Sequence, residues 1–279
     1  MPKNQTIRRG ALSRALSVSL AGARAGGVFA IDGALKRLRG EEAGDDARLD
    51  REARRFAQEL GKLKGSYVKI GQLFALLGEH FLPAPLTRAL HELEAETEAL
   101  PWADMEPHFR AALGKQFDDL DIETEALAAA SLAQVHRARI KSTGHEVVLK
   151  AQYPELAEVL DDDFNAVVRM LRLARWIPAS RDFDSWLTTL HEQLHAEIDY
   201  PREQAMARTF ASALDHHPHL TETEVALTVP QFWKDYCGPQ VLTLDYVEGH
   251  RAGSPAVAAL SQSTRNALGR LMLQLFFIE

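Results

Sequence analysis

The chain has 279 residues, of which 46% are hydrophobic and 25% charged, a composition typical of a globular protein with one large domain or two smaller ones. The net charge of −7 provides no overall attraction to nucleic acid, so we expect no nucleic-acid partner. The single cysteine, Cys237, excludes an intrachain disulfide and is compatible with a reducing compartment.

The N-terminal segment, residues 1–48, begins with a basic stretch. Residues 1–31 contain lysine and arginine but no acidic residue, and they include three serines. This composition suits an organelle-targeting presequence, a basic helix on an anionic membrane surface, or a frayed terminus without a function. The apolar stretch 15–35 is interrupted by Arg24 and Asp32, so we predict that it does not span a membrane.

Residues 49–125 have the pattern of a helical region. Apolar side chains recur every three or four residues and predict one face of a helix or of a helix pair. These side chains are Phe56, Leu60, Leu63, Tyr67, Ile70, Phe74, Leu77 and Phe81. Glycines interrupt the pattern at Gly61, Gly65, Gly71 and Gly78, each costing up to about 1 kcal/mol in a helix interior. They predict close backbone approach or a break between two helices. Further helices are predicted at 86–99 and 106–113.

Residues 126–249 change in character and predict a mixed region. A run of small residues at 128–131 precedes predicted strands at 133–140 and 146–152, which are joined by a turn. Helices are predicted at 156–171 and 183–198, and Pro201 predicts a kink or a new helix start. Two more strands are predicted at 224–229 and 240–247.

The last segment, residues 250–279, predicts a helix that begins near Pro255. Its apolar residues continue to Glu279 without a glycine or a basic last turn that would end the helix. We therefore expect that the chain is a fragment of a longer domain, or that a partner covers this apolar surface.

Lys150 is the first candidate site residue. It lies in a predicted strand about 20 residues after the small-residue run Ala128, Ala129, Ala130 and Ser131. Protein kinases have a similar order, in which a glycine-rich loop over the phosphates is followed by a strand lysine that binds phosphate oxygens. The alternative is a lysine that only reaches water and an alanine-rich helix start.

Two polar clusters are the next candidates. Glu197, Asp199 and Glu203 could anchor a lysine or bind magnesium, and Asp199 and Glu203 share a face if the helix continues. Lys69 and Gln72 are neighbours on a predicted helix, around Gly71. The alternative for both clusters is a solvated polar face.

The histidines of the stretch 216–219 carry no metal prediction. Adjacent histidines on a proline-containing loop lack the convergent geometry of a zinc site. We expect no metal ligands there.

Five motifs in this order resemble those of the UbiB (AarF) atypical kinase-like family, over about residues 50–279. They are the KxGQ signature in GSYVKIGQL at 65–73, the alanine-rich nucleotide loop in AAASLAQVHRA at 128–138, the lysine strand in VLKAQYP at 148–154, the ExD motif in EIDY at 197–200, and the hinge strand in VLTLDYVEG at 241–249. Glu203 falls at the position of the family's helix glutamate.

The resemblance implies an α+β protein-kinase-like N-lobe, with a small antiparallel sheet and helices, at about 126–249. A helical extension carrying KxGQ precedes it at 49–125, and only the start of the α-helical C-lobe follows at 250–279. It implies ATP or ADP binding with Mg²⁺, Lys150 paired with Glu203, and adenine held by the backbone near Asp245 and Val247. The alanine-rich loop Ala128–Ser131 would bind the phosphates.

The resemblance also implies a regulatory arrangement and a biological role. Lys69 and Gln72 would meet the carboxylates of Glu197 and Asp199 and block access by protein substrates. The family acts as an ATPase or small-molecule kinase that supports ubiquinone biosynthesis at a membrane. The implied partners are a peripheral membrane contact, a quinone-precursor lipid and quinone-biosynthesis proteins. The implied location is the cytoplasmic side of the inner membrane in a bacterium, or the mitochondrion if the basic N-terminus is a presequence.

The sequence departs from the kinase pattern in one respect. It contains no Asp-Pro-x-x-x-Asn or Asp-Phe-Gly stretch, so the catalytic aspartate and the main magnesium ligands of kinase chemistry are absent from these 279 residues. We predict that this chain alone has no ATPase turnover. Two alternatives remain open, namely a nucleotide-binding or scaffold protein without catalysis, and a helical membrane-surface protein.

Overall fold

The structure is a computed structural model that describes residues 46–63, 65–78, 81–93, 98–173, 176–177, 180–217 and 225–277. The helices are α1 (Asp46–Leu63), α2 (Ser66–Leu77), α3 (Ala84–His91), α4 (Trp102–Leu113), α5 (Leu156–Leu173), α6 (Arg181–Ala196), α7 (Tyr200–Asp215), α8 (Pro255–Ala258) and α9 (Gln262–Phe276). The strands are β1 (Leu120–Ile122), β2 (Ala128–Ala129), β3 (Ala133–Ile140), β4 (Glu146–Gln152) and β5 (Val241–Asp245).

None of the helices within these ranges is long and apolar enough to cross a membrane. The basic stretch 1–31 and the apolar stretch 15–35 lie outside the described residues.

Two compact units alternate along the chain. The first contains the described residues up to 101 together with 128–134 and 152–198. The second contains 102–127, 135–151 and the described residues from 199 onward.

The first unit is helical, and its core confirms the predicted apolar stripe. Phe56, Leu60, Tyr67, Ile70 and Phe74 are all buried, in a cluster that also takes side chains from α3, α5 and α6. Burying one such large side chain stabilises the fold by about 1.5–3 kcal/mol. The stripe belongs to a helix pair, because α1 ends before Gly65 and α2 begins after it.

Two glycines explain the breaks in that stripe. Gly65 has φ +60°, a left-handed conformation that other residues adopt at a cost, and it separates α1 from α2. A Cβ on Gly71 would lie too close to Leu93 Cδ1, so a larger residue there would require the Leu93 side chain to move. The prediction of a helix break or a close approach is therefore confirmed at these two positions.

The strands form one antiparallel sheet in the order β1-β3-β4-β5, and β2 pairs with β3. β4 alternates as predicted, since Val147, Leu149 and Ala151 are fully buried while Val148 and Lys150 on the opposite face are partly exposed. Lys150 lies opposite Leu242 of β5. The predicted strands at 133–140 and 146–152 are confirmed with the same bounds.

Residues 224–229 were predicted as a strand, and that prediction is wrong for the described part, 225–229, which forms no strand. Its alternating apolar residues Val225, Leu227 and Val229 instead pack against Leu214 of α7 and Leu271 of α9. Burial against helices satisfies the same alternating pattern as burial in a sheet.

Two predicted helices have different bounds in the structure. The predicted helix at 86–99 ends at His91, and the helix predicted from Pro255 is interrupted after Ala258. A new helix, α9, begins after Ser261, whose side-chain oxygen accepts a hydrogen bond from the Thr264 N–H. This N-cap satisfies an otherwise unpaired helix donor and explains the restart.

Candidate functional site

Lys150 and Glu203 form a two-point ion pair in the second unit. Lys150 Nζ lies 2.9 Å from Glu203 Oε1 and 2.8 Å from Oε2. The ammonium also lies 4.9 Å from the ring centroid of buried Tyr200, within the range of a cation–π contact. The strand lysine and the helix glutamate are therefore brought together as the sequence indicates, and the lysine head group is held in place on two sides.

A new helix start positions Glu203. The helix of 183–198 does not continue, because α6 ends at Ala196 and α7 begins at Tyr200 with Pro201 in its first turn. Asp199 Oδ1 accepts a hydrogen bond from the Arg202 N–H at 3.0 Å, so Asp199 is the N-cap of α7. Of the two predictions for Pro201, the new helix start is confirmed. Asp199 and Glu203 consequently do not share one continuous helix with Glu197.

Lys69 lies against Glu197 in the first unit, with 2.7 Å between Nζ and Oε1. Gln72, the other polar residue of the KxGQ signature, instead donates from Nε2 to the Leu93 carbonyl at 3.3 Å. The structure thus brings one KxGQ side chain to the ExD segment, while the other contacts the end of the α3 region.

Gln152 holds the ExD segment from the other side, a role that the sequence analysis missed. Its buried side chain donates from Nε2 to the Ile198 carbonyl at 2.5 Å. Ile198 is the residue between Glu197 and Asp199, so this bond fixes the backbone at the centre of the motif. No local pattern marks such a contact, since it depends on where the end of β4 meets the end of α6.

The alanine-rich segment is a strand and a turn. The Ala130 N–H donates to the Ala133 carbonyl at 2.8 Å, which closes the turn after β2. Ala128 and Ala130 are exposed, Ala129 is partly exposed and Ser131 is buried. The alternative of an alanine-rich helix start is therefore excluded for this segment.

Tyr153 secures this turn, although no local pattern in the sequence marks it. Its hydroxyl donates to the Ala130 carbonyl at 3.0 Å, and its backbone N–H donates to the Leu132 carbonyl at 3.1 Å. Burial raises the pKa of Tyr153 to about 12, so the hydroxyl keeps its proton and remains a donor at neutral pH.

Asp245 ends β5 and has a structural role. Its carboxylate accepts hydrogen bonds from Trp233 Nε1 at 2.9 Å and from the Gln231 N–H at 3.0 Å. The Tyr246 N–H donates to the Glu146 carbonyl at 3.2 Å, while the Val247 side chain is well exposed. The chain segment expected to contact adenine thus leaves the sheet at Val247.

The described histidines include two groups of interest, those of the 216–219 stretch and a pair on α6. His216 Nδ1 lies 2.8 Å from its own helix's Ser212 carbonyl, and residues 218–219 lie outside the described residues. A different set, Asp161, His191 and His195, brings three metal-ligating groups together. Its signal in the sequence is the four-residue spacing of the two histidines on one predicted helix.

The chemistry of the second unit is that of an oriented cation on one face of the sheet, because Lys150 lies on the inner strand β4. A lysine held by a carboxylate on a helix can present its remaining donor capacity to an anion such as a phosphate. Together with a small antiparallel sheet and the helix that carries Glu203, this defines the class as a protein-kinase-like N-lobe, with the α+β fold that the sequence predicts.

Comparison with known proteins identifies the family. The ABC1 atypical kinase-like domain matches residues 92–279, and the chain belongs to this family. The chain is 30% identical to the mitochondrial atypical kinase COQ8 of Schizosaccharomyces pombe, over 88% of this chain and 39% of that protein. It is 28% identical to the probable protein kinase UbiB of Photorhabdus laumondii, over 84% of this chain and 42% of that protein. The resemblance to the UbiB (AarF) family is confirmed.

The chain spans about two fifths of the length of these curated relatives. A solved structure, that of Rv3197 of Mycobacterium tuberculosis in complex with erythromycin, is 28% identical with a TM-score of 0.49, covering 75% of this chain and 51% of that one. Other relatives are mitochondrial or, in Arabidopsis thaliana, chloroplastic proteins. Membership of a kinase-like family implies nucleotide binding, usually with a metal ion.

Proposed function

We propose that this chain binds ATP or ADP through Lys150, with Glu203 holding the lysine in position. The observation that carries this proposal is the two-point contact between them, at 2.8 and 2.9 Å. A lysine fixed in this way meets phosphate oxygens without first losing side-chain freedom, and this favours binding. The same pairing of a strand lysine with a helix glutamate is a requirement of active protein kinases.

We propose the remaining nucleotide contacts from the resemblance to the family. The turn at Ala128–Ser131 would approach the phosphates, with the alanine methyl groups keeping them further from the backbone than glycines would. Tyr153 supports this role because it ties the turn to the end of β4. Adenine would lie against the backbone at Asp245–Val247, where the chain leaves β5.

The carboxylates of Glu197, Asp199 and Glu203 each already contact another group, so these three do not fit a protein-held Mg²⁺. Glu203 has both oxygens on Lys150, Glu197 pairs with Lys69, and Asp199 caps α7. Mg²⁺ takes oxygen ligands and is usually shared with substrate phosphates. We propose that Mg²⁺ accompanies the nucleotide on its phosphate oxygens.

The wider role that we propose is an ATPase or small-molecule kinase function in ubiquinone biosynthesis. The names of the COQ8 and UbiB relatives support this assignment. The Lys69–Glu197 ion pair supports a regulatory role for KxGQ, whose helix would block protein substrates. We propose domain boundaries at 1–48, 49–125, 126–249 and 250–279. We also propose a peripheral membrane location and contacts with a quinone-precursor lipid and with quinone-biosynthesis proteins.

Nucleotide binding without turnover is the second candidate for the chain itself. The lack of an Asp-Phe-Gly stretch in the 279 residues favours it, because that aspartate holds the kinase metal. We expect the 279-residue chain to release phosphate from ATP at the rate of a protein-free blank. Release well above the blank that is lost in Lys150→Ala would contradict this expectation.

The test of nucleotide binding is a thermal shift with and without ATP. At an ATP concentration of about 100 times Kd, binding stabilises the fold by about 2.7 kcal/mol, which raises Tm by roughly 5 °C for a chain of this size. Lys150→Ala should abolish the shift. The exposed lysine variant Lys115→Ala is the matched control and should retain it.

Each outcome of this test discriminates between the functions. A shift that is lost only in Lys150→Ala supports the proposed site. A shift of equal size in both variants places the nucleotide elsewhere and refutes the role of Lys150. No shift in the wild-type chain favours the helical membrane-surface protein.

A further inference from the structure

The side chains of Asp161, His191 and His195 converge on one point of the first unit. The Nε2 atoms of His191 and His195 each lie 2.7 Å from the same oxygen, Oδ1 of Asp161. The two imidazole ring centroids are 4.5 Å apart. Their potential ligand atoms all lie within 4.8 Å of one another. Three potential metal ligands, two imidazole nitrogens and one carboxylate oxygen, thus lie close enough together to contact a single ion, and both types are common zinc ligands.

The helices position these groups through ordinary packing. His191 and His195 are four residues apart on α6 and therefore lie on one face of it. They directly follow the buried residues Leu190 and Leu194, so they lie at the edge of the face that α6 buries in the core. Asp161 projects from α5. The backbone positions on both sides of the cluster are therefore fixed by the core.

An aromatic ring restrains the first histidine. Phe164, buried and one turn after Asp161 on α5, meets the His191 ring edge-on with centroids 5.1 Å apart. The side chains of His191 and His195 are 38% and 40% exposed, and that of Asp161 is 60% exposed. One side of the cluster is thus supported by the core, while the other is open to an incoming ion and to the water that completes its coordination.

We propose that Asp161, His191 and His195 bind a transition-metal ion, with Zn²⁺ as the preferred class. In a tetrahedral zinc site with bonds of about 2.0–2.1 Å, neighbouring ligand atoms are roughly 3.3 Å apart. The present 2.7 Å contacts would have to open by about 0.6 Å, which small side-chain rotations provide. Water takes the remaining position.

The donor set also predicts selectivity. Imidazole nitrogen suits Zn²⁺, Ni²⁺ and Cu²⁺, whereas Mg²⁺ takes oxygen ligands and gives up its water reluctantly. The segment 191–195 reads His-Glu-Gln-Leu-His, a spacing that holds zinc on a single helix face in other proteins. Glu192 is exposed, and we assign it no chemical role. This inference is independent of nucleotide binding.

Calorimetric titration of the metal-free chain with Zn²⁺ tests the site. The wild-type chain should bind one equivalent, and His191→Gln and Asp161→Asn should each weaken binding at least about tenfold. Mg²⁺ at the same concentrations should give no binding heat. The matched control is His217→Gln, which removes a histidine from the 216–219 stretch and should leave Zn²⁺ binding unchanged.

Three results would overturn the proposal. The first is wild-type affinity in both His191→Gln and Asp161→Asn, which would leave only a hydrogen-bonded histidine pair at this position. The second is loss of binding in His217→Gln alone, which would place the metal on the 216–219 stretch. The third is no Zn²⁺ binding by the wild-type chain. Circular dichroism without metal establishes that the variants fold, and if His191→Gln does not fold, Asp161→Asn decides the question.

Discussion

Replacing Glu203 by glutamine tests how much the negative charge of this residue contributes, because the size of the side chain stays nearly the same. Glu203→Gln keeps the size of the side chain and one oxygen acceptor, but removes the charge opposite Lys150. At a separation of about 3 Å, two unit charges attract by about 1.4 kcal/mol in water and about 5.5 kcal/mol at an effective dielectric constant of 20. The two side chains are 34% and 42% exposed, so solvent screening applies. We expect a net loss of about 1 kcal/mol of unfolding free energy.

The effect on nucleotide binding should be larger than this stability effect suggests. Without the second charge, Lys150 loses its fixed position, and we expect ATP affinity to fall about tenfold, equivalent to about 1.4 kcal/mol. At an ATP concentration 100 times the wild-type Kd, ligand stabilisation would fall from about 2.7 to about 1.4 kcal/mol. Urea unfolding with and without ATP measures both quantities in one experiment.

The matched control is Glu106→Gln. Glu106 pairs with Arg110 at 3.1 Å on α4, and its side chain is similarly exposed, at 37%. This variant should lose a few tenths of a kcal/mol in stability and retain the full ATP response. The reasoning is refuted if Glu203→Gln retains full ATP stabilisation, or if both variants lose it equally.

Three further predictions concern the fold around the site. Gly71→Ala should lower the unfolding free energy, measured by urea unfolding, by about 1 kcal/mol. Overpacking against Leu93 costs about 1–3 kcal/mol, and the helix preference of alanine offsets up to about 1 kcal/mol of this. Equal or greater stability of the variant would contradict the close approach. Tyr153→Phe should cost about 1 kcal/mol in the same assay through loss of the bond to Ala130, and an unchanged midpoint would show that this bond contributes nothing. Burial lowers the pKa of His136 despite its hydrogen bond to a backbone carbonyl, so below about pH 6.5 the unfolded chain takes up a proton that the folded chain does not. The unfolding free energy should therefore fall by up to about 1.4 kcal/mol per pH unit as the pH is lowered. If the pH dependence of wild-type stability between pH 7.5 and 5.5 is no steeper than that of His136→Gln, this prediction is wrong.

Local sequence patterns were sufficient for most elements of the fold. Two-residue alternation predicted β3 and β4 with correct bounds, and the three-to-four-residue apolar repeat predicted α1 and α2. Glycine and proline indicated the break before α2 and the start of α7, each as one of two alternatives. These patterns succeed because they reflect backbone geometry and one buried face, both of which are set by neighbouring residues.

The same reasoning failed where a pattern admits two kinds of burial. The segment 225–229 alternates like a strand but packs against α7 and α9. The same limit applies to Gln72, whose helix position is correct but whose partner is the Leu93 carbonyl. Periodicity reports which side of an element is buried, and not what covers it.

The sequence by itself determined the class of fold, the order of the motifs and therefore the family, because each motif is a short local string. The residues alone left open which charges meet, and the pairing of Lys150 with Glu203 was expected only from the family resemblance. Only the tertiary structure decided the geometry of that pair. Lys150 and Glu203 are 53 positions apart, and their 2.8 Å contact exists because the packing of β4 and α7 brings them together. The convergence of Asp161 with two histidines of α6 has the same origin. Contacts of this kind depend on the path of the chain between them, and no local spacing encodes that path.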